Sequence, residues 1–218
     1  MVYWLLTTHA VALFPIGIFI WNWKRRRDTP SIFMLIKFLY CVTYSLLYHS
    51  YHSLNEQITT DFDHSNWALL DGYSSTNLIF TTVLYGLRVR EPQLYITSFA
   101  VESAVLVFYL WRELRVLITT WYLTVCSLAV AILKWRTIWR YILYFKCLSF
   151  LTISCGIVAI CMFVSASNNW GDESSYVLYH SLWHCFIFAT AGFSALLRYK
   201  LDERLYPVQN GRGQLDSI

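Results

Sequence analysis

"YVLYHSLWHCFIFATAGFSALL", Tyr176 to Leu197, decides how the chain is read. The run carries no Asp, Glu, Lys or Arg. It is as long as a bilayer-crossing helix needs to be, roughly 20 residues. Inside it stand His180 and His184, four positions apart and so on one face of a helix. Polar rings in hydrocarbon are costly unless something bonds them. The stretch therefore predicts a membrane helix that carries a site.

Similar runs recur along the chain. Of its 218 residues 57% are hydrophobic and 14% charged, where soluble domains run nearer half and a quarter. Seven spans can be drawn: Tyr3–Trp23, Ser31–Leu54, Asn66–Leu87, Gln93–Trp111, Val116–Leu133, Tyr141–Val164 and Tyr176–Leu197. The short "RELR" connection, Arg112 to Arg115, makes the fourth and fifth a tight antiparallel pair. The expected fold is all-α, a polytopic seven-transmembrane helix bundle over residues 1–198 with a short polar tail at 199–218.

Basic residues give the orientation. "KRRR" (Lys24 to Arg27), Arg88 with Arg90, Lys134 with Arg136 and Arg140, and Arg198 with Lys200 and Arg204 follow the odd-numbered spans. Glu56, Asp61, Asp63, Asp172 and Glu173 fall on the other side, beside Arg112 and Arg115. The positive-inside rule then puts the N-terminus outside and the tail in the cytosol. The net charge of +4 reflects topology, so nucleic acid is not an expected partner. The first span has no preceding positive charge and no small-residue cleavage site, so it reads as an anchor. The six cysteines (Cys41, Cys126, Cys147, Cys155, Cys161, Cys185) all fall in spans, which argues against structural disulfides. Lys37 and Lys146 are expected to snorkel toward the cytosolic surface. Glu102 stands mid-span, a second carboxylate expected either to line the cavity or to pair with a neighbour.

Polar residues inside spans mark function by default. "SLLYHS" places Ser45 and His49 on one face of the second span, and "LLDGYSS" places Asp71 near the outer end of the third. At about 1.5 Å per residue, Ser45, His49, Asp71, His180 and His184 share one layer in the outer half of the bilayer. His180 and His184 with His49 make a three-histidine set suited to zinc, which keeps a fourth position for water and lowers that water's pKa to about 7. Asp71 would orient a histidine or take the water's proton, and Ser45 would hydrogen-bond the carboxylate or a developing oxyanion. His9, His52 and His64 read as interfacial or loop residues unrelated to this set.

S-x-x-x-H in the second span, the aspartate opening the third and H-S-x-W-H in the seventh resemble the CREST superfamily of seven-helix membrane proteins. "ALFP…KRRR", "SLLYHS", "LLDGYSS" and "YHSLWHC" resemble its myomaker/transmembrane-protein-eight branch. The resemblance implies zinc on His49, His180 and His184, with Ser45 and Asp71 as the polar pair of the hydrolases. It implies a zinc-dependent hydrolase cleaving an ester or amide bond of a membrane lipid. The alternative is a myomaker-like, non-catalytic lipid-binding protein that promotes plasma-membrane fusion, because the chain's length is similar to that of the fusion protein. Membrane lipid is the expected partner, in the plasma membrane or an endomembrane (Golgi or ER). A homodimer is compatible with the sequence without being indicated by it.

Overall fold

The computed structural model describes residues 7–53, 64–110, 115–168 and 171–206. Among them every regular element is helical. A 3-10 turn, His9–Ala12, leads into α1 (Leu13–Arg26). There follow α2 (Thr29–Ser53), α3 (His64–Gly86), α4 (Gln93–Leu110), α5 (Arg115–Leu133), α6 (Trp135–Tyr144), α7 (Lys146–Asn168) and α8 (Glu173–Leu205).

Three stretches are long and apolar enough to cross a membrane: Thr29–Ser50 in α2, Lys146–Ala166 in α7 and Ser174–Leu205 in α8. Gln93–Tyr109 and Trp121–Leu133 are shorter apolar helices. The outward face of α7 shows why lipid is the solvent. Phe150, Ile153, Ile157 and Ile160 are exposed, while Ser149, Ala159 and Ala166 are buried against the bundle. A contiguous apolar band of this kind is uncommon on a soluble monomer. In hydrocarbon only a helix satisfies the backbone within one segment, so even the β-branched run of α7 coils.

The core joins the helices in two large blocks and a smaller one where Tyr141 meets Leu197 and Leu201. Phe19, Met34, Phe38, Tyr85, Phe188 and Ala195 knit α1, α2, α3 and α8 together. Phe80, Leu84, Leu94, Val101 and Val105 tie α3 to α4, with Leu123 of α5 added. Small residues set how close two helices come. At Gly192 on α8 a Cβ would overlap the Phe14 ring of α1. At Gly72 on α3 it would lie 2.9 Å from the Tyr109 hydroxyl.

The elements depart from the predicted spans at three places, and one lysine departs from its expected position. The first run is interrupted by the 3-10 turn, so its regular helix begins at Leu13. The predicted sixth span began at Tyr141, but Tyr141–Tyr144 belong to a separate amphipathic helix, and the chain bends at Phe145 (φ −135°) before α7. The last helix continues to Leu205, well past Leu197. Its extra turns are held by Arg198–Asp202 and Lys200–Glu203 pairs within the helix, and by Arg25–Glu203 and Arg88–Asp202 across to neighbours. Lys37 does not snorkel. It pairs with Glu102 across α2 and α4, and Ser98 donates to the same carboxylate at 3.0 Å. A lysine and a glutamate facing each other in an apolar layer offset each other's desolvation.

At the end of the bundle where α3 and α8 finish, a second polar cluster forms. The Arg198 guanidinium lies 4.2 Å over the Tyr85 ring and donates to the Tyr85 carbonyl at 3.0 Å. It also faces Asp28 at 3.4 Å and Asp202 at 3.6 Å. Tyr85 Oη meets Ser31 Oγ at 2.8 Å and accepts from Asn22 at 3.2 Å. Tyr141 of α6 donates to the Gly86 carbonyl at 2.6 Å.

Candidate metal centre

The polar residues predicted to share one layer are delivered by several helices whose local structure sets their register. On α8, Asp172 is the N-cap: its carboxylate accepts from the Ser174 backbone N–H at 3.2 Å and from the Ser174 and Ser175 hydroxyls at 2.8 and 2.6 Å. Such a cap satisfies orphan donors of the first turn and fixes the rotation at which His180 and His184 emerge. Ser45 and His49 stack one turn apart on α2. Asp71 lies two turns into α3, whose first turns carry it inward beside Ser74 and Ser75. The 3-10 turn after Thr8 directs His9 into the same layer.

All of these side chains are buried: Ser45, His49 and His184 are each 1% exposed, His9 5%, Asp71 7% and His180 8%. His49 Nε2 and His184 Nε2 are 3.2 Å apart. His9 Nε2 is 3.0 Å from Ser45 Oγ. The His9 and His184 rings are tilted against each other with centroids 4.4 Å apart. Ring nitrogens of His9, His49 and His184 all fall within 4.8 Å of one another, close enough to hold one metal ion. The Ser45 and Ser75 hydroxyls lie against the Asp71 carboxylate, and Ser74 donates to the Asp71 backbone carbonyl at 3.0 Å.

The predicted set is therefore gathered in space, with one addition. His9, read from sequence as unrelated, is part of the cluster. His180 adjoins it: its ring centroid is 5.0 Å from that of His49 and 4.8 Å from that of His184. The side chains of His52 and His64 lie outside the described residues. His9 was overlooked because it has no histidine partner at helical spacing, and its path to Ser45 depends on the irregular turn. The available signal was that it, too, is a titratable residue within an apolar run.

The donor chemistry fits a metal. Two nitrogens each 2.0–2.1 Å from one tetrahedral ion would stand about 3.3 Å apart, and His49 and His184 present theirs at 3.2 Å. Among the described residues, His184 Nδ1, His180 Nε2 and Asp71 Oδ1 are buried polar atoms with no hydrogen-bond partner. Others stand elsewhere, at Asn22, Arg26, Asn77 and Arg198 among them, but here three meet in one cluster, each on a residue type that can ligate a metal or move a proton. The cluster also caps a cavity of about 430 Å³. Ser45, Ser75 and His184 stand at one end and Gly86, Tyr141 and Leu197 at the other, with walls from Leu78, Ile79, Val83, Ile153, Ile187 and Phe188. From His184 to Leu197 the helix rises about 20 Å, so the space is long, narrow and apolar. Compared with family models, curated proteins and solved structures, the chain finds no match.

Proposed function

We propose that the protein is a zinc-dependent membrane hydrolase that cleaves an ester or amide bond of a lipid, and that it is a seven-span member of the CREST superfamily. The observation that carries this reading is the facing pair of His49 and His184 nitrogens, set beside a carboxylate and at the head of an apolar cavity. His49 and His184 would be ligands. His9 supplies the third nitrogen in the observed arrangement; His180, one turn from His184, is the third ligand that the resemblance implies.

Zinc held there would acidify a water and polarise the scissile carbonyl. The chain's own groups do the rest. The apolar walls hold an acyl chain along α3 and α8 and exclude water, placing its carbonyl at the Ser45–His184 end. Asp71, with one carboxylate oxygen unbonded, takes a proton from the attacking water. It returns that proton to the departing alcohol or amine as the carbonyl–heteroatom bond breaks. Ser45, between His9 and Asp71, orients the carboxylate or donates to the oxyanion. Zinc, the ligand roles and the hydrolytic step are the proposed elements; their support is geometry and donor chemistry.

The second reading is a lipid-binding protein that promotes membrane fusion without chemistry. The long cavity favours it equally, since an acyl chain is held there whether or not a bond is cut. Lipid hydrolysis and cell–cell fusion measured side by side, on the wild type and Asp71→Asn, separate the two. The hydrolase reading predicts turnover in the wild type and none in the variant. Normal fusion in both, with no hydrolysis in either, would replace it with the second.

A further inference from the structure

The short helix α6, Trp135–Tyr144, is neither a span nor a plain connection. Its sequence, "WRTIWRYILY", separates by face at helical spacing. Trp135, Trp139 and Ile142 lie close together on one arc and are exposed. Arg136 and Arg140, one turn apart, form the adjoining polar face and are also exposed. Ile138 and Tyr141 turn inward, where Tyr141 packs on Leu197 and Leu201 of α8 and is tethered to Gly86. No acidic residue lies between Lys134 and Lys146. Arg204 of α8 adds a further positive charge, its guanidinium 4.1 Å over the Tyr144 ring.

An exposed tryptophan arc beside an arginine face is the composition of a helix lying in the plane of a membrane interface. There aromatic rings enter the acyl boundary and cations meet headgroups. The position agrees. α6 joins the end of α5 to the start of α7, and it touches the end of α8 that lies about 20 Å along the helix from His184. We infer that α6 is a docking element for anionic lipid headgroups at the face of the bundle opposite the histidines, with Arg136 and Arg140 as the headgroup contacts. Ile138 and Tyr141 line the cavity, with Ile142 at the edge between it and the exposed arc, so the seated helix also forms that cavity's floor. The inference rests on the membrane-spanning reading and is independent of hydrolysis.

The experiment uses the full chain in nanodiscs with photoactivatable phosphatidylserine or phosphatidylcholine, and maps cross-links by mass spectrometry. In the wild type, phosphatidylserine should label residues 134–146 more strongly than phosphatidylcholine does. The preference should fall by roughly thirtyfold in an R136Q/R140Q double variant, the effect of two charges at an anionic surface. Arg136→Lys with Arg140→Lys should retain it, which separates charge from misfolding. Equal labelling of the wild type by both lipids would overturn the inference and leave α6 as an apolar seat only. So would unchanged phosphatidylserine preference in the glutamine variant.

Discussion

The bundle buries polar groups at two ends, and the two ends treat them differently. Around Arg198 the charges are paired: Asp28, Asp202, the Tyr85 ring and the Tyr85 carbonyl surround one guanidinium, and Asp202 in turn meets Arg88, although Arg198 Nε and the nearby Asn22 Oδ1 have no hydrogen-bond partner among the described residues. Around His49 and His184 the groups are equally buried, but Asp71 Oδ1, His180 Nε2 and His184 Nδ1 are left unbonded among the described residues. Both arrangements cost desolvation. The first recovers much of it through opposite charges and so ties α2, α3 and α8 together. The second does not, which is how a site that must accept an ion and a reacting group looks.

That contrast can be broken from either side. The largest effect is expected at the unbonded end. Asp71→Asn keeps the side chain's shape, so it should lower lipid turnover by about ten- to ten-thousand-fold while leaving the thermal unfolding midpoint near that of the wild type. A variant that loses both together would show Asp71 to be a structural residue like Arg198. At the paired end the expectation reverses. Arg198→Met leaves Asp28 without its ion-pair partner, with only the Ser31 hydroxyl shown against it, and should destabilise the folded chain by up to about 3 kcal/mol, read as a fall in unfolding midpoint, with turnover per folded molecule preserved. Gly192→Ala lies between the two ends, where α1 closes on α8. Pushing the Phe14 ring aside should cost about 1–3 kcal/mol, seen in the same melt.

The smallest effect concerns the cap that sets the register of His180 and His184. Hydrogen bonds from Ser175 and Ser174 hold the Asp172 carboxyl below its ordinary value. A depressed carboxylate contributes fully above its unfolded value of about 3.9 and loses that contribution as pH falls through the folded value. Amide exchange at the start of α8 should therefore be unchanged between pH 7 and pH 5, after correction for the intrinsic rate. Extra opening should appear only below about pH 4. Asp172→Ala should abolish that acid step.

How much was legible in the sequence follows from what periodicity records. Ser45, His49, Asp71, His180 and His184 could be read because each breaks an apolar run and shares a depth with the others. Helical spacing then fixes which face each occupies. His9 could not be read the same way: an irregular turn, not a helical period, aims it at Ser45. The pairing of Lys37 with Glu102 was hidden because it depends on how α2 and α4 are rotated against each other, which neither run encodes alone. α6 was merged with α7 because Tyr141–Tyr144 is apolar enough to extend the next run. Arg136 and Arg140, one turn apart, give this helix a polar face that the span reading left out. The continuation of α8 past Leu197 was missed because its extra turns are stabilised by ion pairs, which hydropathy counts against a helix in lipid.

The central claim is that His49 and His184 hold a metal, and metal analysis of the purified full-length chain tests it most directly. The wild type should carry about one zinc per chain, and His49→Ala or His184→Ala should lose it while remaining folded. Asp71→Asn should keep it. His9→Ala and His180→Ala identify the third ligand by which of them also loses the metal. Folded wild-type protein that contains no zinc, and takes up none when zinc is supplied, would contradict the claim and leave the 3.2 Å contact as a hydrogen bond between two imidazoles.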